Sequence, residues 1–437
     1  MHYFSTNDKT SAQSLQYAVY NGFAPDGGLF MPDSIPTLPQ AFIKNMGGMT
    51  LQDISYAVAN YALQGDIEAD VLRNIIYDTL NFDIPLSYIS ANNYVLELFH
   101  GPTFSFKDIG ARFLARLLAH YQAKRHDSRP LNIIAATSGN TGSAVAHGFA
   151  GIPGVRVYLL YPSGRINPIQ EALFTTLGGN VTAIEVNGSR DDCRMLARQA
   201  FADEELNAAM HITSATSANV ARLIPQMFYY FYAFAQLQQR GLDTSSVVMA
   251  VPCGNLGNLT SGLLAKAMGL PIKRFVAACN ANNAFADYLY TGIFAPKPTT
   301  STFTPAMDVD VPRNFPRIAH LLGSGTISPE CLHPHTVTDD DTAQTIQDTY
   351  ASEGYLLDPH SATAYHAMLT DIAPDETGIA LATAHPIKYK ATVEHAIHAT
   401  IPVPERLQSY VNATKQTVQI NSGYNSLRKF LLTQPQH

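Results

Sequence analysis

Short, mostly apolar segments, each followed by a turn and a helical pattern, place the strongest limit on the fold of this chain. Residues 131–136, 155–161 and 181–186 form one series of such segments, and residues 247–251 and 275–279 begin a second. Strands of this kind are covered on both faces, as in parallel sheets between layers of helices. The pattern therefore predicts an α/β fold in which two open α/β domains, with mostly parallel sheets, face each other.

The rest of the chain divides around these two series. At 437 residues it is long enough for two or three domains. Residues 1–92 carry two amphipathic helical patterns, at 50–63 and 67–80, and we expect a helical N-terminal segment there. We expect the first α/β domain to span residues 93–240 and the second to span residues 241–437.

Composition argues against several classes of function. Charged residues make up 14% of the chain and hydrophobic residues 46%, which is typical of a large compact enzyme and not of a disordered protein. The net charge of −7 and the lack of a basic cluster argue against nucleic-acid binding. The most apolar stretch, residues 220–237, contains an arginine, a proline and glutamines, so we expect no membrane-spanning segment.

The cysteines and histidines bear on the compartment and on metal binding. The four cysteines lie far apart and form no CxxC pair, so we expect reduced thiols. The N-terminus has no pattern of a signal peptide, and we expect a cytoplasmic protein. His333 and His335 have no third ligand at a metal-binding spacing, so we expect no metal site.

A single lysine stands just before the helical pattern of residues 108–123. Lys107 follows Phe104 and Phe106, and Asp108 suits the first turn of the helix, where a carboxylate meets free backbone N–H groups. Positive potential and partial desolvation both favour the neutral amine, which is the nucleophile that a Schiff-base lysine requires. The alternative is a lysine whose stem lies over two phenylalanines while its ammonium group reaches water.

A turn rich in glycine and asparagine follows the strand pattern of residues 247–251 and precedes a helical pattern. Its glycines let backbone N–H groups converge on an anion, which the helix N-terminus also favours. The spacing matches neither GxGxxG nor GxxxxGKS/T, so a single phosphate monoester fits better than a nucleotide. The alternative is a tight turn without a ligand. The residues of this turn are Gly254, Asn255, Leu256, Gly257 and Asn258.

The turn at residues 138–142 offers polar groups at another helix start. Ser138 and Thr141 contribute hydroxyls, Asn140 contributes an amide, and the backbone contributes several N–H groups. Such a set of donors suits a carboxylate, and the amide of Asn140 also suits a ring oxygen. The alternative is ordinary helix capping.

A third helix start combines polar side chains with one arginine. Ser217, Asn219 and Arg222 lie at the front of a pattern that predicts one long helix over residues 220–240. A helix N-terminus with an arginine is a natural second anion site. The alternative is a capped helix with a solvated arginine.

Thr383 places a neutral hydroxyl at the end of the apolar segment 378–382. A hydroxyl can hydrogen-bond to a pyridine nitrogen without fully protonating it. Thr383 is therefore a candidate partner for such a nitrogen.

Taken together, these motifs resemble the fold-type II, or tryptophan-synthase-β-like, enzymes that use pyridoxal 5'-phosphate (PLP), and within them the threonine synthase family. The resemblance covers nearly the whole chain. Residues 22–30, GFAPDGGLF, are similar to the N-terminal signature of that family, and Phe106-Lys107-Asp108 resembles its PLP attachment site. The length of the chain resembles the longer, often monomeric branch, so the resemblance implies a monomer.

The resemblance also implies roles for the candidate residues. Lys107 would be the catalytic lysine that carries PLP, and Thr383 would face the pyridine nitrogen. Asn140 would contact the cofactor ring oxygen and, with Ser138 and Thr141, hold the substrate carboxylate. The substrate phosphate would lie against Ser217, Asn219 and Arg222. The cofactor phosphate would lie against Gly254, Asn255, Leu256, Gly257 and Asn258.

The implied activity is the PLP-dependent conversion of O-phospho-L-homoserine and water to L-threonine and phosphate, a carbon–oxygen lyase reaction of threonine biosynthesis. This chemistry requires two phosphate sites, one for the cofactor and one for the substrate, and the chain offers two candidate sites. Two alternatives remain open. One is a phospho-amino-acid lyase of the same fold, and the other is a non-catalytic phosphometabolite-binding protein that carries no PLP.

Overall fold

Two open sheets dominate the structure, a computed structural model that describes residues 1–125, 129–137 and 139–434. The strands, in chain order, are β1 (Tyr3–Ser5), β2 (Phe30–Pro32), β3 (Leu86–Ser90), β4 (Asn93–Glu97), β5 (Leu131–Ala136), β6 (Val155–Pro162), β7 (Val181–Asn187), β8 (Ile212–Thr213), β9 (Val247–Pro252), β10 (Arg274–Cys279), β11 (Leu332–Thr336), β12 (Thr377–Ala382) and β13 (Thr417–Asn421).

Helices connect these strands. In chain order the α-helices are α1 (Leu15–Asn21), α2 (Gln40–Lys44), α3 (Leu51–Leu63), α4 (Ala69–Thr79), α5 (Lys107–Ala123), α6 (Asn140–Phe149), α7 (Pro168–Thr175), α8 (Arg190–Ala202), α9 (Glu204–Met210), α10 (Val220–Leu223), α11 (Phe228–Gln239), α12 (Gly257–Ala267), α13 (Ala284–Thr291), α14 (Phe315–Gly323), α15 (Asp339–Glu353), α16 (Pro359–Asp371), α17 (Lys390–Ile397), α18 (Glu405–Val411) and α19 (Tyr424–Leu432). Short 3-10 helices span Met46–Gly48, Ile224–Met227, Pro329–Cys331 and Pro386–Tyr389.

The strand pairing confirms the predicted fold class. The larger sheet has six strands in the order β11-β10-β9-β12-β4-β3, and its neighbours are parallel except for the antiparallel pair β3 and β4. The second sheet has five parallel strands in the order β13-β7-β6-β5-β8. Strands β1 and β2 form a small antiparallel pair. The molecule is thus an α/β protein with mostly parallel sheets.

Sheet membership does not follow the predicted ranges 1–92, 93–240 and 241–437. Strands β3 and β4 lie in the larger sheet beside β12, and β13 joins the sheet that contains β5, β6 and β7. Parallel neighbours need long crossover connections, so strands that are adjacent in a sheet can lie far apart in sequence. The two sheets therefore draw strands from both sides of the predicted boundaries.

Strand β12 positions the candidate site, because it lies between β4 and β9 in the larger sheet. Glu97, the last residue of β4, is in register with Ala382, the last residue of β12. The carboxyl ends of parallel strands share one edge of a sheet, where sites in such folds are found. The segment that leads to Lys107, the turn at 254–258 and Thr383 all follow strands that end at this edge.

The predicted single helix over residues 220–240 is wrong. Helix α10 ends at Leu223, a 3-10 helix follows, and α11 begins at Phe228. Pro225 accounts for the break, since proline lacks a backbone N–H and its ring clashes with the preceding turn of an α-helix. The break leaves α10 as a short turn of helix that carries Arg222.

Three further properties bear on function. In the described part of the chain, no helix is both long enough and apolar enough to cross a membrane. Over the same residues, no three His, Cys, Asp or Glu side chains come together as ligands for a metal ion. All four cysteines are buried and free.

Candidate active site

Lys107 is the first residue of α5, at the end of a turn that the C-terminal half of the chain holds in place. Phe104, within this turn, has a left-handed backbone with φ of 58°. The Phe104 carbonyl accepts a hydrogen bond from the His385 backbone N–H at 3.1 Å, and the Phe106 N–H donates to the Thr383 carbonyl at 3.0 Å. These bonds bring the lysine segment and Thr383 together.

The surroundings of Lys107 favour its neutral amine. Burial, and secondly the charge of the Arg222 guanidinium, lower the pKa of Lys107 to about 8. Gly110, one turn further along α5, allows this arginine to approach, because a Cβ atom there would lie 2.9 Å from the Arg222 carbonyl oxygen. The pKa shift has the direction that the sequence predicts, but part of it is an electrostatic effect of Arg222, which lies far away in the sequence.

A second lysine, Lys388, lies against the same turn and is missing from the site predicted from sequence. Its fully buried amino group donates to the Thr103 carbonyl at 2.7 Å. The carboxylate of Asp108 accepts from the Thr103 N–H at 2.8 Å and also from the Thr103 hydroxyl. Burial lowers the pKa of Lys388 to about 7, against the attraction of Asp108 and with a smaller contribution from Lys107. Thr103 is thus held at its carbonyl, its N–H and its hydroxyl.

Asn140 begins α6, close after the end of β5. Its Nδ2 donates to the hydroxyl of Tyr389 at 2.7 Å, and its Oδ1 is buried without a partner among the described residues. Tyr389 ends the 3-10 helix that follows Thr383, so one short segment carries Thr383 and also binds Asn140. Thr141 is half-buried on the same turn, and the predicted residue Ser138 lies outside the described residues.

Arg222 and Asn219 are both buried at the start of α10, but they differ in their free polar groups. An Nη atom of Arg222 donates to the Ala215 carbonyl at 2.9 Å, while its Nε is buried with no partner in the described part of the chain. The amide of Asn219 caps α10 by accepting from the Ala221 N–H at 3.0 Å, and it donates to the Val19 carbonyl at 2.8 Å. Arg222 therefore keeps a donor for an anion, whereas both ends of the Asn219 side chain are engaged.

The turn after β9, the candidate phosphate site, is tightly packed. A Cβ atom at Gly254 would lie 2.7 Å from the Ala306 carbonyl oxygen, so only glycine fits there. Leu256 has a left-handed backbone with φ of 59° and directly precedes α12. The carbonyl of Asn255 accepts from the backbone N–H of Asn314 at 3.2 Å and from its side-chain Nδ2 at 2.9 Å. The segment 306–314 thus fixes the outer side of the turn.

Asn258 closes this turn with an amide that two tyrosines hold. The hydroxyls of Tyr229 and Tyr230 lie 2.6 Å and 2.8 Å from its Oδ1. Its Nδ2 is buried and has no partner among the described residues. The turn therefore combines free backbone N–H groups at the start of α12 with one oriented side-chain donor.

Comparison with known proteins identifies the family that has this arrangement. The chain matches the family model described as "Pyridoxal-phosphate dependent enzyme" over residues 87–383. Residues 2–80 match "Threonine synthase N terminus", and residues 361–431 match "Threonine synthase, C-terminal". The chain belongs to the threonine synthase family. As a member of a PLP-dependent family, it uses PLP as its cofactor.

Similarity to individual threonine synthases extends over the full length. The threonine synthase of Haemophilus influenzae is 40% identical over 432 residues, which cover 99% of this chain and 100% of that protein. The crystal structure of threonine synthase from Escherichia coli has a TM-score of 0.91 at 38% identity and covers 99% of both chains. The PLP-bound threonine synthase from Brucella melitensis has a TM-score of 0.93 at 30% identity and covers 99% of this chain and 98% of that one.

The residues of the candidate active site suit PLP as a ligand. Asn140 Oδ1, Arg222 Nε and Asn258 Nδ2 are buried polar atoms without partners among the described residues. Buried groups of this kind are normally satisfied by protein, water or a ligand. The phosphate and ring substituents of PLP, and the phosphate of a substrate, offer partners of the matching kind. Arg222 Nε and Asn258 Nδ2 are donors that suit the oxygens of two phosphates, and Asn140 Oδ1 is an acceptor that suits a hydroxyl or N–H group of the cofactor or substrate.

The ligand-facing roles assigned from sequence stay predictions, and sequence reasoning named none of the residues that orient those groups. Ser217 is half-buried two residues before Asn219, in the segment that precedes α10. His360 accepts from the Ala306 N–H at 3.2 Å through Nε2, while its Nδ1 bonds to Asp358 at 2.8 Å. No motif marks such supporting residues, although Lys388 and Tyr389 follow Thr383 closely. The supporting residues that were missed are Tyr229, Tyr230, His360, Lys388 and Tyr389.

Proposed function

We propose that this chain catalyses the threonine synthase reaction, in which O-phospho-L-homoserine and water give L-threonine and inorganic phosphate. The observation that carries the proposal is Lys107, a lysine of lowered pKa, in one fold with two separate groups of anion donors. One group is the turn at 254–258, and the other includes Arg222. Full-length similarity to threonine synthases supports the same conclusion.

Lys107 serves as the attachment point and the main base. Bound PLP supplies an electron sink for the charge that develops when a proton leaves the substrate α-carbon. Lys107 takes that proton, removes a proton from the β-carbon as the phosphate leaves, and delivers a proton to the γ-carbon, which becomes the methyl group of threonine. It finally returns a proton to the α-carbon. With a pKa of about 8, its amine is partly neutral near neutral pH and can both accept and release a proton.

The cofactor and the substrate carboxylate have separate holders. Residues 254–258 hold the cofactor phosphate, and Thr383 offers its hydroxyl to the pyridine nitrogen. Asn140 contacts the ring oxygen and, with Thr141 and Ser138, holds the substrate carboxylate. A neutral hydroxyl at the ring nitrogen, in place of a carboxylate, leaves that nitrogen less protonated, which favours elimination and replacement over transamination.

Arg222 holds the substrate phosphate. When the bond between the γ-carbon and oxygen breaks, the electron pair leaves with the phosphate, and the buried guanidinium stabilises the growing negative charge. Ser217 adds a hydroxyl to this site. Asn219 fixes the start of α10, because both ends of its amide are already bonded. Water then adds its hydroxyl group at the β-carbon, and its other proton goes to the released phosphate.

Product identification tests the proposal. PLP-loaded protein incubated with O-phospho-L-homoserine should release L-threonine and phosphate in equal amounts, measured by amino-acid analysis and a phosphate assay. Lys107→Ala is the matched control and should lose both products and the borohydride-reducible PLP adduct. Ammonia and an oxo acid in place of threonine would support a phospho-amino-acid lyase instead. A wild-type protein that never attaches PLP would support a phosphometabolite-binding protein.

We also propose that the protein is a monomer of the cytoplasm. Its cysteines are free and buried, which suits a reducing compartment. A monomer should give a mass of 47.6 kDa in light scattering, whereas a doubled mass would show a dimer.

A further inference from the structure

Two buried tyrosines converge on one amide at the turn 254–258. Tyr229 donates its hydroxyl to Asn258 Oδ1 at 2.6 Å, and Tyr230 donates to the same oxygen at 2.8 Å. The Tyr230 hydroxyl also lies 3.0 Å from the backbone carbonyl of Asn258. Both tyrosines are fully buried, and Asn258 is only 5% exposed. Three polar contacts thus fix the first turn of α12 to α11.

The two hydrogen bonds from the tyrosine hydroxyls set which way the amide points. A side-chain amide has an oxygen that accepts two hydrogen bonds and a nitrogen that only donates. Burial raises the pKa of Tyr229 and of Tyr230 well above the ordinary value, so both hydroxyls keep the proton that they donate. With both hydroxyls on the oxygen, the nitrogen of Asn258 points away from the tyrosines. That nitrogen is buried and has no partner in the described part of the chain.

The tyrosine rings have little freedom to change this arrangement. The two rings lie 5.0 Å apart, and Tyr230 also packs edge-on against Phe275 at 6.1 Å. A Cβ atom at Gly262, on α12, would lie 2.8 Å from Cζ of Tyr230, so the helix touches the ring directly. The hydroxyls are therefore held at fixed positions, and the amide that they bind is held with them.

We propose that Tyr229 and Tyr230 are positioning residues for the cofactor phosphate: by holding Oδ1 of Asn258, they direct its Nδ2 toward the phosphate of PLP. This inference rests on the proposed assignment of residues 254–258 to that phosphate. A donor fixed before the ligand arrives binds more tightly than one that must be ordered during binding. Neither tyrosine touches the cofactor in this proposal, and each acts through Asn258.

The test compares PLP with pyridoxal, which lacks the phosphate, on cofactor-free full-length protein. Tyr229→Phe and Tyr230→Phe each remove one hydroxyl and keep the ring. Each variant should lower the affinity for PLP by about threefold to tenfold, the net effect of one hydrogen bond. The affinity for pyridoxal should stay the same, because pyridoxal makes no phosphate contact. Absorbance titration gives both dissociation constants without any measurement of turnover.

A double-mutant cycle shows whether the tyrosines act through the amide. Asn258→Ala should also lower the affinity for PLP and not for pyridoxal. In the Asn258→Ala background, Tyr229→Phe and Tyr230→Phe should cause no further loss. Tyr232→Phe is the matched control, since Tyr232 lies on the same helix and is half-buried, and it should change neither affinity.

The outcomes separate this inference from the site assignment. Equal losses for PLP and pyridoxal in the tyrosine variants would show a structural role and overturn the inference, as would an unchanged PLP affinity. If Asn258→Ala lowers PLP affinity selectively while both tyrosine variants bind PLP normally, only the inference fails. If Asn258→Ala leaves the ratio of PLP to pyridoxal affinity unchanged, the assignment of the turn 254–258 fails as well. The inference is supported if the tyrosine variants lose affinity for PLP but not for pyridoxal, and only when Asn258 is present.

Discussion

The pKa of Lys107 depends on two features of its environment, and a substitution at Arg222 can separate their effects. Burial is the larger cause of its lowered pKa, and the charge of Arg222 is the second. Burial also lowers the pKa of Arg222 itself, but only to about 10, so this side chain remains a cation at neutral pH. The residue proposed to hold the leaving phosphate therefore also adjusts the base that moves the protons.

Arg222→Gln should have two effects. In cofactor-free protein the pKa of Lys107 should rise, because a nearby positive charge no longer disfavours the protonated amine. The reaction of Lys107 with an amine label should therefore shift to higher pH. The KM for O-phospho-L-homoserine should also rise, with a loss of about 2–5 kcal/mol if the guanidinium–phosphate pair is desolvated. Competitive labelling with mass spectrometry measures the first effect, and steady-state kinetics measures the second. Affinity for PLP should change little.

Arg194→Gln serves as the control, since Arg194 lies on the surface and pairs with Asp191. It should leave the titration of Lys107 and the KM unchanged. If Lys107 titrates at the same pH with and without Arg222, the proposed charge coupling is wrong. If Arg222→Gln weakens PLP and substrate binding equally, the division between the two anion sites is wrong.

At the scale of elements, local patterns predict the strands and helices but not their neighbours. Strand β5 has its predicted bounds of 131–136, and helix α3, at 51–63, nearly matches the pattern predicted at 50–63, because residues within each element set its periodicity. The positions of β4 and β13 depend on pairing with strands far away in the chain, which no local pattern encodes. The break at Pro225 is local, and a stricter reading of proline in the predicted helix would have found it.

The residues of the candidate site also fall into two groups, those that a local pattern marks and those that act from far away in the sequence. Lys107 and Asn258 could be predicted because each lies in a local motif at a helix start. The residues that orient the site act across long separations, from 29 residues between Tyr229 and Asn258 to 285 residues between Thr103 and Lys388. A buried lysine or tyrosine has the same local pattern whether it packs in a core or supports a site. These roles become visible only with the tertiary contacts.

Lys388 links the 3-10 helix Pro386–Tyr389 to the turn before α5, and its removal should loosen that turn. Lys388→Met leaves the Thr103 carbonyl without its donor, which should cost about 1–3 kcal/mol of stability and weaken PLP attachment at Lys107.

The folded-state pKa of Lys388 is about 7, below its ordinary value of 10.5, so the unfolded chain binds more protons between these values. Stability from this group therefore rises with pH across that window.

Urea unfolding of cofactor-free protein measures the free energy of unfolding of wild type and of Lys388→Met. The amount by which wild type exceeds the variant should grow from pH 7 to pH 9.5. Asp108 and Lys107 lie beside position 388 in both proteins, and because Lys388 also lowers the pKa of Asp108, the difference reports Lys388 together with its coupling to Asp108. Lys390→Met is the control, because the Lys390 amino group is partly exposed and pairs with Glu394. Its difference in free energy of unfolding from wild type should not grow over the same pH range. A gap that stays constant or narrows with rising pH would contradict the lowered pKa.

At the scale of the whole molecule, one buried arginine ties together segments that belong to different parts of the fold. Arg317, on α14, donates to the Phe30 carbonyl at 2.8 Å and to the Ala218 carbonyl at 2.8 Å. It also donates to Asn314 Oδ1 at 2.6 Å. Phe30 belongs to the N-terminal segment, Ala218 precedes α10, and Asn314 holds the turn at Asn255. Arg317 is fully buried, and burial lowers its pKa to about 9.

Arg317→Met should therefore destabilise the molecule and disturb both anion sites at once. Two backbone carbonyls and one amide oxygen lose their donor in a buried place, which should cost about 3–5 kcal/mol in urea unfolding of cofactor-free protein. PLP affinity and the KM for O-phospho-L-homoserine should both worsen, because the supports of the two sites share this residue. Arg194→Met, at an exposed arginine that pairs with Asp191, should leave all three measurements near wild type. A stable Arg317→Met protein in which only one site is weakened would show that the N-terminal segment and the two sites are held together by other contacts.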